Sequence, residues 1–258
     1  GAADVPEVGG KNASLGEMRR QLAALDIPVP DGFAITATAF RTYLRHNDLE
    51  DRIRSELASR VSHDQSALER ASERIADAIL AGSFPTELQE AIKGAYRELG
   101  RRIGVEQPEV AVRSSATAED LPRASFAGAH QSFLNVRGVQ ELLGAVKRCY
   151  ASLYSPRAIA YREHMGFDHA SVALSVGVQQ MVASDSSVSG VIFTLDTETG
   201  FRDVVLVTAA YGLGENIVQG VTNPDEYVVF KPTMAEISRT SIPSLFFNSK
   251  AASCGVGL

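Results

Sequence analysis

Apolar residues recur at helical spacing through most of the first 100 positions. Residues 14–26 place four apolar side chains on one face, and Ser14 with Glu17 forms a capping-box pattern, which predicts a helix beginning at Ser14. Pro30, Asp31 and Gly32 then indicate a turn that leads into a short strand. Further helices are predicted over residues 37–46 and through most of 50–100.

Runs of β-branched residues at strand length dominate the second half of the chain. One long helix, over residues 139–165, interrupts them. The connections between the later strands are too short for crossover helices, which favours antiparallel pairing. The predicted fold class is therefore α+β, with a helical first half and a mostly antiparallel sheet in the second half. Strands are predicted over residues 110–113, 132–136, 172–182, 189–197, 203–212 and 226–231.

Composition narrows the class of protein without indicating its chemistry. Hydrophobic residues make up 45% of the 258 positions, no apolar run is long enough for a transmembrane helix, and the N-terminus lacks the features of a signal peptide. The two cysteines, Cys149 and Cys254, have no paired spacing, which favours a reducing compartment. A net charge of −6 disfavours nucleic-acid binding. The expectation is a cytoplasmic protein that binds neither membranes nor nucleic acid.

Two segments have the residue types that bind phosphate. In "VGGKNASLGEM", glycines precede Lys11 close to a predicted helix start, a pattern that suits an anion but also occurs in surface turns. In "VAVRSSATAEDLPRASFAGAHQSFLNV", Arg113 ends a strand and offers a fork of donors, and the loop around Gly128 can arrange its N–H groups over a polyphosphate. The alternative is a structural arginine paired with Glu119 or Asp120.

Two further segments are weaker signals when each is taken alone. In "VGVQQMV", Gln179 and Gln180 interrupt an apolar strand and suit a planar hydrogen-bonding ring such as adenine, or else lie on the exposed face of a strand. In "YGLGENIVQGV", Glu215 begins a short helix after two glycines, which places a carboxylate near a cleft or forms an ordinary strand-to-helix turn.

Taken in this order and spacing, these segments resemble one family. Together with "VPDGFAITATAF", "SGVIFTLDTETGF" and "NPDEYVVFKPT", they are similar to the N-terminal nucleotide-binding domain of the phosphoenolpyruvate synthase (pyruvate, water dikinase) family. The resemblance runs from about residue 8 to residue 232 and implies an ATP-grasp-like fold.

The resemblance also implies a chemistry and a set of site residues. The domain would bind ATP and Mg²⁺ and pass a phosphoryl group to a histidine on a separate domain, which carries it to pyruvate on a barrel domain. The phosphate-contacting cations would be Lys11 and Arg113, and the loop over residues 125–132 would close over the phosphates, with Ala129 where one relative has glutamine. The implied nucleotide-contacting residues are Gly128, Ala129, Ser132, Gln179, Gln180, Met181 and Val182, the last two through their main chain.

Other parts of the family pattern have no counterpart in the sequence. An acidic segment that holds Mg²⁺, the phospho-acceptor histidine motif and the barrel domain are missing. We therefore expect a truncated domain that binds ATP weakly or not at all and does not make phosphoenolpyruvate by itself. The alternatives are a rifampicin phosphotransferase-like ATP-binding domain and a non-catalytic nucleotide-binding fragment. The expected divisions are a first ATP-grasp subdomain with a helical insert (1–182), the start of a second (183–232) and an atypical tail (233–258).

Overall fold

The structure is a computed structural model that describes residues 4–59, 64–116, 131–184 and 187–233. The chain forms two compact units. The first comprises Gly1–Leu25 and Pro30–Met181, and the second comprises Asp26–Val29 and Val182–Leu258. Helices and antiparallel strands are combined, which confirms the predicted α+β class.

The described part of the first unit is a helical layer on a four-stranded sheet. Its helices are α1 (Val5–Leu22, followed by a 3₁₀ turn at Ala23–Leu25), α2 (Ala37–His46), α3 (Leu49–Ala58), α4 (Gln65–Ala81), α5 (Thr86–Ile103), α6 (Val139–Ser152) and α7 (Pro156–His164). Its strands are β1 (Gly32–Ile35), β2 (Glu109–Ala116), β3 (Ser132–Arg137) and β4 (Leu174–Gln180).

The sheet has the order β1-β4-β2-β3, and every neighbouring pair is antiparallel. Alternate residues of the two central strands are buried on one face, where they join the core formed with α2 and α6. Aromatic side chains from the helices complete that core, with Phe40 and Tyr150 in an edge contact at 5.0 Å between ring centroids. The residues buried on the sheet face include Val110, Val112, Val176 and Val178.

The start of the first helix was predicted wrongly. Helix α1 begins at Val5 and not at Ser14, because Pro6 occupies the first turn, where its fixed φ is compatible with a helix. Gly9 has φ 69° and ψ 161°, which kinks the chain within α1 instead of preventing a helix before Ser14. Lys11 therefore lies in the first turn after the kink.

The predicted long helix over residues 139–165 is also wrong in one respect, because the structure contains two helices there. Helix α6 ends at Ser152 and α7 begins at Pro156. Ser155 caps α7 by accepting a hydrogen bond from the Ala158 N–H at 3.3 Å, and a proline at the next position disfavours helical backbone at Ser155.

The described part of the second unit is a small antiparallel sheet with one short helix. Its elements are β5 (Val188–Phe193), β6 (Val204–Tyr211), α8 (Gly214–Val218) and β7 (Asp225–Phe230). The strand order is β5-β6-β7, so the antiparallel pairing predicted for the later strands is confirmed. Within the described residues, no helix is both long enough and apolar enough to cross a membrane.

Candidate functional site

The kink in α1 brings the "VGGKNASLGEM" segment, the first of the predicted phosphate-binding segments, onto the sheet. At Gly9 the backbone has φ 69°, and a Cβ atom built there would collide with the hydroxyl of Ser115 on β2. Only glycine combines this conformation with so close an approach. The residue two positions later, Lys11, is exposed at the surface.

A side chain beside Lys11 holds the same segment to β4. The Asn12 amide nitrogen donates to the hydroxyl of Ser175 at 3.0 Å and to the carbonyl of Val8 at 2.9 Å. The Asn12 side chain also lies directly over Gly177, since a Cβ at that glycine would collide with its amide oxygen. The sequence "GGKN" is thus packed against two strands of the sheet.

Arg113 lies on the strand pair that α1 contacts. It is half-buried on β2, and its cross-strand partner on β4 is Gly177. Because side chains alternate along a strand, Arg113 and Ser115 share the face opposite to the buried core face. The structure therefore brings the Gly9–Lys11 segment and Arg113 to one face of β2 and β4, here called the α1 face.

The predicted phosphate loop is placed only at its end. Gly128 and Ala129 lie outside the described residues, as do Glu119 and Asp120, the partners considered for a structural Arg113. Ser132 is the first residue of β3 and is exposed. It pairs with Arg113 across β2 and β3, so one end of the loop reaches the candidate cation.

The predicted adenine segment lies at the end of β4. Gln179 is half-buried, and its side-chain nitrogen donates to the carbonyl of Pro30 at 3.4 Å. The Gln180 N–H donates to the Asp31 carbonyl at 2.8 Å, and the Met181 N–H donates to the Glu109 carbonyl at 2.9 Å. The Met181 N–H is therefore already bonded within the first unit. Val182 is the first residue of the second stretch of the other unit.

Glu215 belongs to the second unit. It lies in the first turn of α8, where its carboxylate accepts a hydrogen bond from the Gln219 side chain at 2.8 Å. The turn after β6 contains Gly212 with φ 90°, so the segment has the strand-to-helix turn that was one of its two interpretations.

Asp31, which the sequence indicates only as part of a turn, joins several elements of the first unit. Its carboxylate is 10% exposed and pairs with Arg19 of α1 and, at 3.1 Å, with Arg102 of α5. It also accepts the Gly32 N–H at 2.6 Å. Asp31 thus ties two helices to β1, while its own carbonyl holds Gln180 at the end of β4.

Asn12 was also missed, although it follows Lys11 directly in sequence. From the sequence alone, an asparagine near a predicted helix start would be interpreted as a helix cap. Its partner Ser175 lies 163 positions away, so no local pattern could have pointed to the contact.

The ionisable groups also bear on whether the described residues could form a nucleophilic or metal site. Burial raises the pKa of the Cys149 thiol to about 12, which keeps it neutral and unsuited to nucleophilic or metal chemistry. The described residues contain no group of three or more His, Cys, Asp or Glu side chains that could hold a metal ion. The candidate site on the α1 face therefore consists of the two sequence-predicted cations, Lys11 and Arg113, on neighbouring elements.

A family model and several similar known proteins indicate related families. The model of the pyruvate phosphate dikinase AMP/ATP-binding domain matches residues 5–248. The chain is 53% identical over 231 residues to a phosphoenolpyruvate synthase of Aquifex aeolicus, covering 90% of this chain and 27% of that protein. It is 54% identical to the enzyme of that name from Deinococcus radiodurans (90% of this chain, 29% of that protein). For the Escherichia coli protein of the same name the identity is 51% (91% and 29%). The chain therefore spans less than a third of the length of these relatives.

Proposed function

This chain belongs to the family of pyruvate phosphate dikinase AMP/ATP-binding domains, and from that premise we propose that it is the ATP-binding part of a phosphoenolpyruvate synthase. The whole reaction would convert ATP, pyruvate and water into AMP, phosphoenolpyruvate and phosphate. The observation that carries the proposal is that the "GGKN" segment packs on the face of β2 and β4 to which Arg113 belongs, which brings Lys11 and Arg113 onto neighbouring elements.

Phosphoryl transfer depends mainly on positioning and charge neutralisation, so it requires no covalent protein group. In the proposed complex Arg113 offers its guanidinium fork to phosphate oxygens, and Lys11 acts as a compact charge on the same polyphosphate. The loop containing Gly128, Ala129 and Ser132 would cover the phosphates.

The main chain at the end of β4 would hold the adenine through the Met181 carbonyl and the backbone of Val182, beside Gln179 and Gln180. Mg²⁺ would enter with the ATP phosphates, as that ion often does. Because the described residues offer no acidic cluster for it, we assign it no protein ligand and no step.

The remaining parts of the proposal are the fold type and the partners. We propose an ATP-grasp-like arrangement, with residues 1–182 as its first subdomain and 183–232 as the start of its second. The acceptor histidine domain and the pyruvate-binding barrel would correspond to regions of the relatives outside the matched part. A cytoplasmic location belongs to the same proposal.

Titration calorimetry of the full chain with ATP and Mg²⁺ tests this function. We expect weak binding by the wild type and a loss of affinity of about tenfold or more in Arg113→Ala, since a charge-assisted hydrogen bond is removed. Lys11→Ala should weaken binding in the same direction. Arg54→Ala is the matched control, because Arg54 lies on α3 with a 69% exposed side chain paired to Asp51. Absence of wild-type binding, or equal binding by Arg113→Ala and Arg54→Ala, would contradict the proposal.

A further inference from the structure

The Asn12 side chain connects the first turn of α1 to strand β4. Its amide nitrogen donates to Val8, which precedes the kink at Gly9, and to Ser175, which lies on β4. Its amide oxygen occupies the space over Gly177 that a side chain would otherwise fill. Both sides of the kink are therefore held to the same strand.

These contacts fall on the strand pair that carries Arg113. Gly177 is the cross-strand partner of Arg113, and Ser175 is the partner of Ser115. Ser115 is the residue that packs against Gly9. Lys11 therefore lies in sequence between one contact to β2, made by Gly9, and one contact to β4, made by Asn12.

The two serine side chains that lie beneath this segment are buried. Ser175 is 0% exposed and Ser115 is 1% exposed. A buried hydroxyl that loses its partner costs more free energy than the bond itself contributes, so the Asn12–Ser175 hydrogen bond disfavours other positions of the kink. A lysine side chain is long and flexible, so fixing its backbone narrows the region that its charge can reach.

We propose that Asn12 is a positioning residue that sets Lys11 relative to Arg113, so that both cations meet one polyphosphate. The proposal rests on the ATP-binding function proposed above. Asn12 itself does not touch the nucleotide. It acts by holding the Gly9–Lys11 backbone on β2 and β4, as a supporting contact does for a binding group in other sites.

Two single variants of the full chain disturb this contact from opposite sides. Asn12→Ala removes the hydrogen bonds to Val8 and Ser175, and Gly177→Ala forces a Cβ into the Asn12 amide oxygen without changing either cation. Each should weaken the binding of ATP with Mg²⁺ by about tenfold. The double variant should lose no more than Asn12→Ala alone, because the new methyl group enters space that the asparagine has left.

Asn47→Ala is the matched structural control. The Asn47 side chain also bridges backbone, donating to Tyr43 at 2.8 Å and to Ser83 at 2.9 Å, but it lies at the end of α2 among the helices. Its loss should lower the melting temperature of the protein as much as the Asn12 change does. It should leave the affinity for ATP unchanged.

Hydrogen exchange of the ligand-free protein separates this inference from the proposed function. We expect faster exchange of the amides of residues 9–13 in Asn12→Ala and Gly177→Ala than in the wild type or Asn47→Ala. Unchanged exchange there would overturn the positioning role, whether or not ATP binds. Wild-type protein that binds no ATP would overturn the function. Bound ATP with equal affinities in Asn12→Ala and Asn47→Ala would overturn the positioning role alone.

Discussion

Several core side chains carry ionisable groups that the fold keeps neutral. Burial raises the pKa of Cys149, Tyr43 and Tyr154 to about 12, and it raises that of Tyr150 further. In the unfolded chain these groups lose their protons at lower pH, near the ordinary values of about 8.5 for a thiol and 10 for a phenol. The folded state therefore binds more protons in that range, and the free energy of unfolding must fall as pH rises.

We expect these groups to leave the free energy of unfolding unchanged below about pH 8.5. Between about pH 9 and 12 they should make it fall progressively. Urea unfolding followed by circular dichroism at a series of pH values measures the slope. A free energy of unfolding that stays level or rises across this range would contradict the burial of these groups.

Tyr150→Phe isolates one of these contributions. The Tyr150 hydroxyl is buried and has no hydrogen-bond partner among the residues that the structure describes, so its removal breaks no bond seen there. The variant should be at least as stable as the wild type at pH 7, and its alkaline slope should be smaller by up to about 1.4 kcal/mol per pH unit. Tyr43→Phe is the contrasting control, because the Tyr43 hydroxyl donates to the Ile79 carbonyl at 2.6 Å and its loss should destabilise.

At the scale of elements, hydrophobic periodicity predicted most helices and strands, and contacts distant in sequence decided the rest. Helix α2 was predicted with the bounds that the structure has, Ala37–His46, since its apolar stripe and its Thr36 cap are both local signals. The start of α1 was missed because Gly9 indicates a break, whereas here it kinks a helix that packs on Ser115. The residue types of the candidate site were visible as motifs, but their meeting on the α1 face depends on strand register.

Asp31 shows how one residue can hold several elements. It pairs with Arg19 of α1 and Arg102 of α5, and it accepts the N–H of Gly32. Asp31→Ala should lower the free energy of unfolding by about 2–3 kcal/mol, because it leaves two cations and a backbone donor without their acceptor. Chemical denaturation at neutral pH measures this change.

Asp51→Ala provides the comparison for Asp31. Its carboxylate also pairs with an arginine, Arg54, but its side chain is 91% exposed. Exposed ion pairs contribute only about 0–1 kcal/mol. Similar destabilisation by the two substitutions would show that Asp31 is an ordinary surface partner and does not join α1 and α5.

At the scale of the whole molecule, burial is distributed unequally between the two units. The buried hydrophobic cluster belongs to the first unit, whereas Ser184 and Val204 are the only buried residues among those described in the second. Both faces of the β5-β6-β7 sheet carry apolar side chains that remain partly in water, such as Ile192 and Tyr227 on one face and Val228 on the other. Antiparallel sheets usually bury at least one face, so the described part of this unit has little internal packing to stabilise it.

The two units should therefore open with different free energies. Amides of β6, although hydrogen-bonded on both sides, should exchange with solvent faster than those of β2 and β4, because local opening of the second unit exposes little new apolar surface. Native-state hydrogen exchange with peptide-level mass spectrometry measures both sheets in one sample. Ile75→Ala, in the core of the first unit, provides the control. This substitution should accelerate exchange in β2 and β4 and leave exchange in β6 unchanged. Equal protection of the three strands, with a common response to Ile75→Ala, would instead mean that the chain unfolds as one cooperative body.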